Sequence, residues 1–221
     1  DPRTRALASR VHGQRIITFG MKEGVDVRAE QCTVLYEEKN SPTGGWPVGM
    51  SAHVSIDGVS LPVEMRGVLG MHALLPILAG AAVGKVLGKS LDTSIFALRN
   101  YQPPPGRMRL LSGVKHTLII DDTYNSSPAA ATAALEALMI LPKNKRKIVV
   151  LGDMLELGRH SVEEHRKVGA YVAGRATILM TVGFRARDIA QGALDNGMSD
   201  GSIFQYEHAL QAGIELQTML T

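Results

Sequence analysis

The chain has 221 residues, of which 45% are hydrophobic and 20% are charged, with a formal net charge of +3 at pH 7. Such a composition is typical of a folded globular protein, and a charge this small and dispersed argues against a nucleic-acid partner. The sequence has no apolar run of the roughly 18 residues that a membrane span needs, and its start lacks the layout of a secretory signal. We therefore expect a cytoplasmic protein without membrane insertion, and the single cysteine, Cys32, excludes an intrachain disulfide.

The first half of the chain is predicted to mix strands and helices. The predicted helices are Arg3–Val11, Leu74–Leu87 and Thr93–Asn100, and the predicted strand segments are Arg15–Phe19, Val25–Glu37 and Met50–Met65. Asp57-Gly58 indicates a two-residue hairpin turn, and Asp92 is expected to cap the last of these helices. Three successive prolines in YQPPPGR, residues 101–107, forbid helix and favour a stiff connection, which places a domain boundary between domains 1–105 and 106–221.

Beyond this connection, β-branched runs alternate with helical patterns, which predicts βαβ units and a parallel, Rossmann-like sheet. The predicted strands are Thr117–Ile120, Ile148–Leu151, Thr177–Val182 and Ser202–Tyr206, and the predicted helices are Pro128–Ile140, Val162–Gly174, Arg185–Asn196 and His208–Leu220. Ser127-Pro128 predicts an N-cap followed by proline at the first helical position, and Ser161 with Glu164 predicts a capping box. The basic cluster PKNKRK, residues 142–147, is predicted to be a solvated turn.

The residues that follow the predicted strands are expected where a parallel sheet binds ligands, at its carboxyl edge. Asp121 and Asp122 follow the first strand, Gly152 and Asp153 follow the second and Gly183 follows the third. The helix that begins near Pro128 would direct its free N–H groups at this edge, which favours an anion such as phosphate. A structural alternative stays open, because acids at strand ends often only cap the next turn. In the same way GDMLELG could plug the core with its apolar residues, and His165 could be a packing residue.

Four motifs in order carry a resemblance to a known family: YQPPPGRMRLL, IIDDTYNSSPAAATAALEAL, VVLGDMLELG and EEHRKVG. Together they resemble the Mur ligases, and among these the members that add D-alanyl-D-alanine to UDP-MurNAc-tripeptide. The resemblance implies an α/β fold, with a partial central ATPase-type α/β domain followed by a Rossmann-like parallel-sheet domain. The family's UDP-substrate domain and phosphate loop have no counterpart here, so we expect a fragment of a longer polypeptide.

The resemblance also implies an activity and its partners. The expected reaction is ATP-dependent amide formation through an acyl phosphate, with UDP-MurNAc-tripeptide and D-alanyl-D-alanine as substrates. ATP and Mg²⁺ are expected as cofactors, held mainly by the segment upstream of this chain, and the protein is expected to be a monomer. The fragment alone is expected to be inactive, because no glycine-rich phosphate loop of the required spacing occurs in it.

Site residues are carried over from the family one by one, with no catalytic residue or metal ligand assigned. The implied nucleotide-binding residues are His72, Arg107, Asp122, Tyr124 and Asn125, and the implied substrate-binding residues are Asp153 and Glu156. Arg107 matches an arginine that contacts the nucleotide and Asp122 an acid near the ribose, while Tyr124 and Asn125 match residues that help to close the domain.

The sequence departs from the family pattern around His72. Ala73 and Pro76 stand where the family has two asparagines, and Ser127 replaces a third. Neither Ala73 nor Pro76 has a side chain that can hydrogen-bond to adenine, and proline at 76 suits a helix only in its first turn. Three hypotheses follow: an active ligase, a catalytically degenerate module that binds a nucleotide or partner, and a ligase for another substrate. The motif GDMLELG ranks the third below the first.

Overall fold

The computed structural model describes residues 6, 8, 10–37, 45–142 and 145–220. The chain forms two compact units, each assembled from several stretches. One unit contains the described residues of Asp1–Thr33, Met50–Met65 and Ala73–Tyr101, and the other contains those of Val34–Gly49, Arg66–His72 and Gln102–Thr221. The helix predicted at residues 3–11 lies largely outside the described residues, and the domain boundary near residue 105 stays a prediction.

The first sheet has four strands in the order β1-β2-β3-β4. These strands are β1 (Phe19–Gly20), β2 (Val27–Tyr36), β3 (Pro47–Ile56) and β4 (Val59–Arg66), and β1 runs parallel to β2. Asp57 and Gly58 join β3 to β4 with φ of 49° and 81°, the paired positive values of a type I′ turn. The hairpin expected from Asp57-Gly58 is therefore confirmed.

Two helices follow, α1 (Leu75–Val86) and α2 (Leu91–Leu98). Pro76 lies in the first turn of α1, where its missing N–H leaves no helical hydrogen bond unmade. Glycine allows α2 to approach closely, because a Cβ at Gly84 would lie 2.1 Å from the Ser94 hydroxyl oxygen. The cap of α2 is Ser90, whose Oγ accepts the Thr93 N–H at 3.2 Å, so the prediction that Asp92 caps this helix was wrong.

The second half differs from the expected sheet in one respect. The predicted strand at 117–120 is β6 (Leu118–Asp121), but it pairs antiparallel with β5 (Arg109–Ser112) in a separate two-stranded sheet. A parallel sheet of three strands is formed by β7 (Ile148–Gly152), β8 (Ile178–Val182) and β9 (Ile203–Tyr206). Four helices accompany these strands: α3 (Pro128–Ile140), α4 (Ser161–Val172), α5 (Arg187–Asp195) and α6 (Ala209–Met219).

The apolar core of this half lies between the parallel sheet and its helices. Its most buried members include Met154, Val172, Leu179, Ile189 and Ala193. Helices α4 and α5 cross in direct backbone contact, because a Cβ at Gly169 would lie only 2.0 Å from the Ile189 carbonyl oxygen. The structure is thus an α/β fold with a mixed sheet followed by a parallel one, as expected.

Two local predictions in this half were wrong. Ser161 does not cap α4, because it already has helical φ and ψ and the preceding His160 takes the cap position without a side-chain hydrogen bond. Lys147, expected in a solvated turn, is only 7% exposed and its ammonium donates to the Leu141 carbonyl oxygen at 3.2 Å. Within the described part of the chain, no helix is long and apolar enough to span a membrane.

Candidate functional site

The two acids at the end of β6 hold the start of the segment that enters β5. Asp121 accepts the Gly106 N–H at its Oδ2 (3.2 Å), and its Oδ1 accepts the Thr123 hydroxyl (2.7 Å) and N–H (3.3 Å). Asp122 Oδ1 accepts the Met108 N–H at 3.1 Å. The acids that the sequence placed at a ligand-binding edge therefore also fix the backbone on either side of Arg107.

The two residues that flank Arg107, Gly106 and Met108, both have positive backbone φ. Gly106 has φ +72° and is packed so closely that a Cβ would lie 2.8 Å from the Tyr124 backbone nitrogen. Met108 has φ +53°, in the left-handed region that side chains disfavour, and is 3% exposed. Its carbonyl oxygen accepts the Leu69 N–H at 3.2 Å, which helps to hold this conformation.

Arg107 itself is exposed, and its guanidinium lies over the Tyr124 ring with 4.3 Å from Cζ to the ring centroid. Tyr124 is 72% exposed, so the stacked pair faces solvent. The structure therefore brings together three of the expected nucleotide-binding residues: Arg107, Asp122 and Tyr124. A cation, a carboxylate and an aromatic face form a set that suits a nucleoside phosphate, since guanidinium recognises phosphate and a carboxylate accepts from ribose hydroxyls.

The turn from Asn125 leads into α3 as the sequence predicts. Ser127 Oγ accepts the Ala130 N–H at 3.2 Å, and Pro128 is the first helical residue. Asn125 is exposed, and its Oδ1 accepts the Ser126 N–H at 3.0 Å. Helix α3 thus begins six residues after Asp122, directly after the turn that contains Tyr124.

His72 lies in a short 3₁₀ turn, Met71–Leu74, directly before α1. Its ring packs against Gly70, where a Cβ would lie 2.9 Å from the His72 Cε1 atom and 3.3 Å from the Ala137 Cβ. Among the described residues, no hydrogen bond or ring contact joins His72 to Arg107, Asp122 or Tyr124. Its role in nucleotide binding stays a prediction.

The loop after β7 is held by two separate contacts. Asp153 Oδ1 accepts the Ala186 N–H at 2.7 Å at the start of α5, and the carboxylate packs against Gly183. The Met154 N–H donates to His165 Nε2 at 3.0 Å, while His165 Nδ1 lies 2.7 Å from the Ser161 carbonyl oxygen. Glu156 is exposed with φ +62°. Asp153 therefore has a structural partner, and the assignment of Asp153 and Glu156 to substrate stays a prediction.

Sequence reasoning missed two features of the site. The first is the role of Asp121, since only its neighbour Asp122 was assigned a function from the sequence. Asp121 accepts a hydrogen bond from a backbone N–H fifteen residues earlier in the chain, and a local sequence pattern cannot indicate such a contact. The strained Met108 had no sequence signal, because glycine is the residue that marks positive φ. In the described part of the chain, no group of three or more His, Cys, Asp or Glu could hold a metal ion.

Comparison with known proteins gives the family. The model of the Mur ligase, glutamate ligase domain matches residues 106–219, just over half of the chain. The chain belongs to the Mur ligase family. A curated relative, the UDP-N-acetylmuramoyl-tripeptide--D-alanyl-D-alanine ligase of Bacillus subtilis, is 31% identical over 149 residues, which are 67% of this chain and 32% of the relative.

Solved Mur ligase structures match nearly all of the chain. MurF from Acinetobacter baumannii superposes with a TM-score of 0.77 at 26% identity, covering 98% of this chain and 42% of that one. The MurF ligase from Thermotoga maritima, solved in complex with ADP, gives a TM-score of 0.70 at 26% identity and covers 100% of this chain and 51% of that one. This Mur ligase chain thus spans about a third of the B. subtilis relative and about half of the solved proteins.

Proposed function

We propose that this Mur ligase chain belongs to a cytoplasmic, ATP-dependent ligase of peptidoglycan precursor synthesis. The ligase joins D-alanyl-D-alanine to UDP-MurNAc-tripeptide through an acyl phosphate and acts as a monomer. The observation that carries the proposal is the cluster of Arg107, Asp122 and Tyr124, in which an exposed cation stacks on an exposed ring and a half-buried carboxylate holds the residue after Arg107. The names of the relatives and the ADP complex of the T. maritima protein support it.

Each residue of the cluster would have a different role in binding a nucleotide. The Arg107 guanidinium would pair with phosphate oxygens, where its planar donors act best. Asp122 uses Oδ1 for the Met108 N–H, which leaves Oδ2 for a ribose hydroxyl. The Tyr124 ring packs against one face of the Arg107 guanidinium and would hold the guanidinium in one orientation. When bound with ATP, Mg²⁺ would neutralise charge during phosphoryl transfer, and its ligands would come from outside this chain.

The reaction itself needs positioning more than a catalytic side chain from this chain. The tripeptide carboxylate takes the γ-phosphoryl group of ATP, and the amine of D-alanyl-D-alanine attacks the acyl phosphate to give an amide, ADP and phosphate. Asp153 and Glu156 are the residues that we assign to substrate, because an ammonium group favours carboxylate partners. Glu156 is the exposed member and Asp153 would act with the oxygen that Ala186 does not use.

A second candidate function is a catalytically degenerate module that binds a nucleotide or a partner. Ala73 and Pro76 favour it, because neither has a polar side chain where the family pattern has asparagine. Pro76 fits within the first turn of α1, so its presence does not disrupt the helix. The two candidates differ in turnover, and a degenerate module that binds only a partner would also differ in nucleotide binding.

The test is phosphate release by the complete polypeptide under each pairing of substrates. We expect ATP hydrolysis only when UDP-MurNAc-tripeptide and D-alanyl-D-alanine are both present, with the amide product seen by mass spectrometry. Arg107→Ala should lower kcat/KM for ATP by roughly 10- to 100-fold, the effect of losing a charged hydrogen-bond partner. Asp200→Asn, which removes an exposed charge elsewhere, should leave the rate unchanged. Absence of turnover under every pairing, with ADP still bound, would favour the degenerate module.

A further inference from the structure

The two residues that flank Arg107 are each held at both of their backbone polar groups. Gly106 donates its N–H to Asp121 Oδ2 and accepts the Tyr124 N–H at 3.2 Å. Met108 donates to Asp122 Oδ1 and accepts from Leu69. Arg107 is therefore the exposed residue between two anchored neighbours, and its side chain starts from a fixed Cα.

The conformation of these neighbours explains why the anchors are needed. Both have positive φ, and Met108 is a buried side chain in the left-handed region. At Met108 such a backbone persists only where the surroundings over-determine it, and residues of this kind cluster at functional sites. Glycine adopts positive φ readily, so at Gly106 the Asp121 hydrogen bond selects one of several accessible conformations. Without the two carboxylates, we expect the segment to become free to leave this conformation and Arg107 to lose its fixed place over Tyr124.

We propose that Asp121 is a positioning residue that fixes Arg107 over Tyr124 and aims its guanidinium outward before any ligand binds. The inference rests on the proposed function only in naming a nucleotide phosphate as the target of Arg107. Asp121 differs from Asp122 because both of its oxygens already accept hydrogen bonds from this chain: Oδ1 accepts from Thr123 and Oδ2 accepts from Gly106. It acts through Arg107 and does not itself touch the nucleotide.

Because Asp121 uses both oxygens, the variant Asp121→Asn helps to distinguish a role in positioning Arg107 from a role in the turn to Thr123 alone. Asparagine has one acceptor oxygen and an amide nitrogen that donates. Asp121→Asn can therefore keep the Thr123 contacts or the Gly106 contact but not both. Asp121→Ala removes both. If Asp121 served the turn alone, Asn would replace it with little effect on Arg107, because Asn is well suited to such turns.

The first measurement is the NMR signal of the Arg107 Nε–H group in the 221-residue chain. Stacking on Tyr124 should shift this signal upfield through the ring current, and Tyr124→Leu supplies the unshifted reference while Tyr124→Phe keeps the ring. We expect the shift to be largely lost in Asp121→Ala and reduced in Asp121→Asn, and unchanged in the matched charge variant Asp200→Asn. A wild-type Arg107 shift in folded Asp121→Ala, which removes the Gly106 contact in every case, would overturn the proposal.

The second measurement separates this proposal from the proposed function. In the complete polypeptide, Asp121→Ala and Arg107→Ala should each raise KM for ATP by roughly tenfold, and the double variant should be little worse than Arg107→Ala, because both act through one group. Additive losses would show that Asp121 acts otherwise and would overturn the positioning role. If the wild-type protein binds no nucleotide while the NMR result holds, the proposed function fails and the positioning of Arg107 stands.

Discussion

The close crossing of α4 and α5 predicts that alanine at Gly169 destabilises the fold, although alanine is the better helix former. Gly169→Ala would place a Cβ 2.0 Å from the Ile189 carbonyl oxygen and 2.8 Å from the Ala193 nitrogen. Both are backbone atoms of the facing helix, so no side chain can rotate to make room. Ordinary Cβ contacts begin near 3.4 Å, and the two helices would have to separate by more than an ångström at this point.

Two opposing contributions set the expected size of the effect. Overpacking a close contact costs about 1–3 kcal/mol, and the upper end applies because rigid backbone must move. Alanine in place of glycine in a helix interior returns about 1 kcal/mol. We therefore expect Gly169→Ala to lower the free energy of unfolding by about 2 kcal/mol, against an intrinsic propensity that favours alanine.

A matched control is available in α6. A Cβ at Gly213 meets no atom within 4 Å, and its φ is not positive, so Gly213→Ala should raise the free energy of unfolding by about 0.5–1 kcal/mol. Urea unfolding followed by circular dichroism measures both variants in the same chain. If Gly169→Ala were as stable as Gly213→Ala, the close crossing of the helices would be refuted.

Three further predictions concern the loops and the acid range. Gly183→Ala should be destabilising by about 2 kcal/mol in urea unfolding, because φ is +108° and its Cβ would lie 2.5 Å from Asp153 Oδ1; stability equal to wild type would contradict the contact. His165→Gln should cost about 2 kcal/mol by the same assay, since a fully buried ring loses its two backbone partners; an unchanged urea midpoint would contradict this. Hydrogen bonds from the Thr18 N–H and hydroxyl lower the pKa of Asp26 below 3.8. The ionised Asp26 carboxylate therefore stabilises the fold at pH values above the unfolded pKa, and this contribution is lost as pH falls through the folded pKa. Urea midpoints between about pH 5 and about pH 2 should fall less steeply in Asp26→Asn than in wild type, and parallel curves would count against the pKa shift.

Local chemistry made some elements readable from the sequence. Helix α3 begins and ends at the predicted residues. Its start could be predicted because Ser127 caps it and Pro128 fits its first turn. The hairpin at Asp57-Gly58 is set by residues that tolerate positive φ. The motifs around Asp122 and Asp153 were sufficient for the family, which the match over residues 106–219 confirms.

Long-range contacts were the part that the sequence did not reveal. The partner of β6 is β5, a four-residue strand directly after the proline-rich stretch, and so short a run has no clear period. Lys147 was expected in solvent because its neighbours are basic, yet its stem is buried and its ammonium reaches the Leu141 carbonyl oxygen. The hydrogen bond from the Gly106 N–H to Asp121 likewise joins residues that are distant in sequence, so the sequence did not reveal it.

The short stretch Arg66–His72 has a consequence for anyone who dissects this chain. Val68 bridges to Arg109, the Leu110 N–H donates to the Gly67 carbonyl oxygen, and Val68 and Leu69 are at most 1% exposed. A piece that starts at the prolines would lose this stretch and uncover the edge of β5, leaving the Leu110 N–H without the Gly67 carbonyl oxygen and a void where two apolar side chains had been. Expressed alone, such a piece would be prone to stick to other strands, and supplying the residues around Val68 as a separate peptide should restore its solubility.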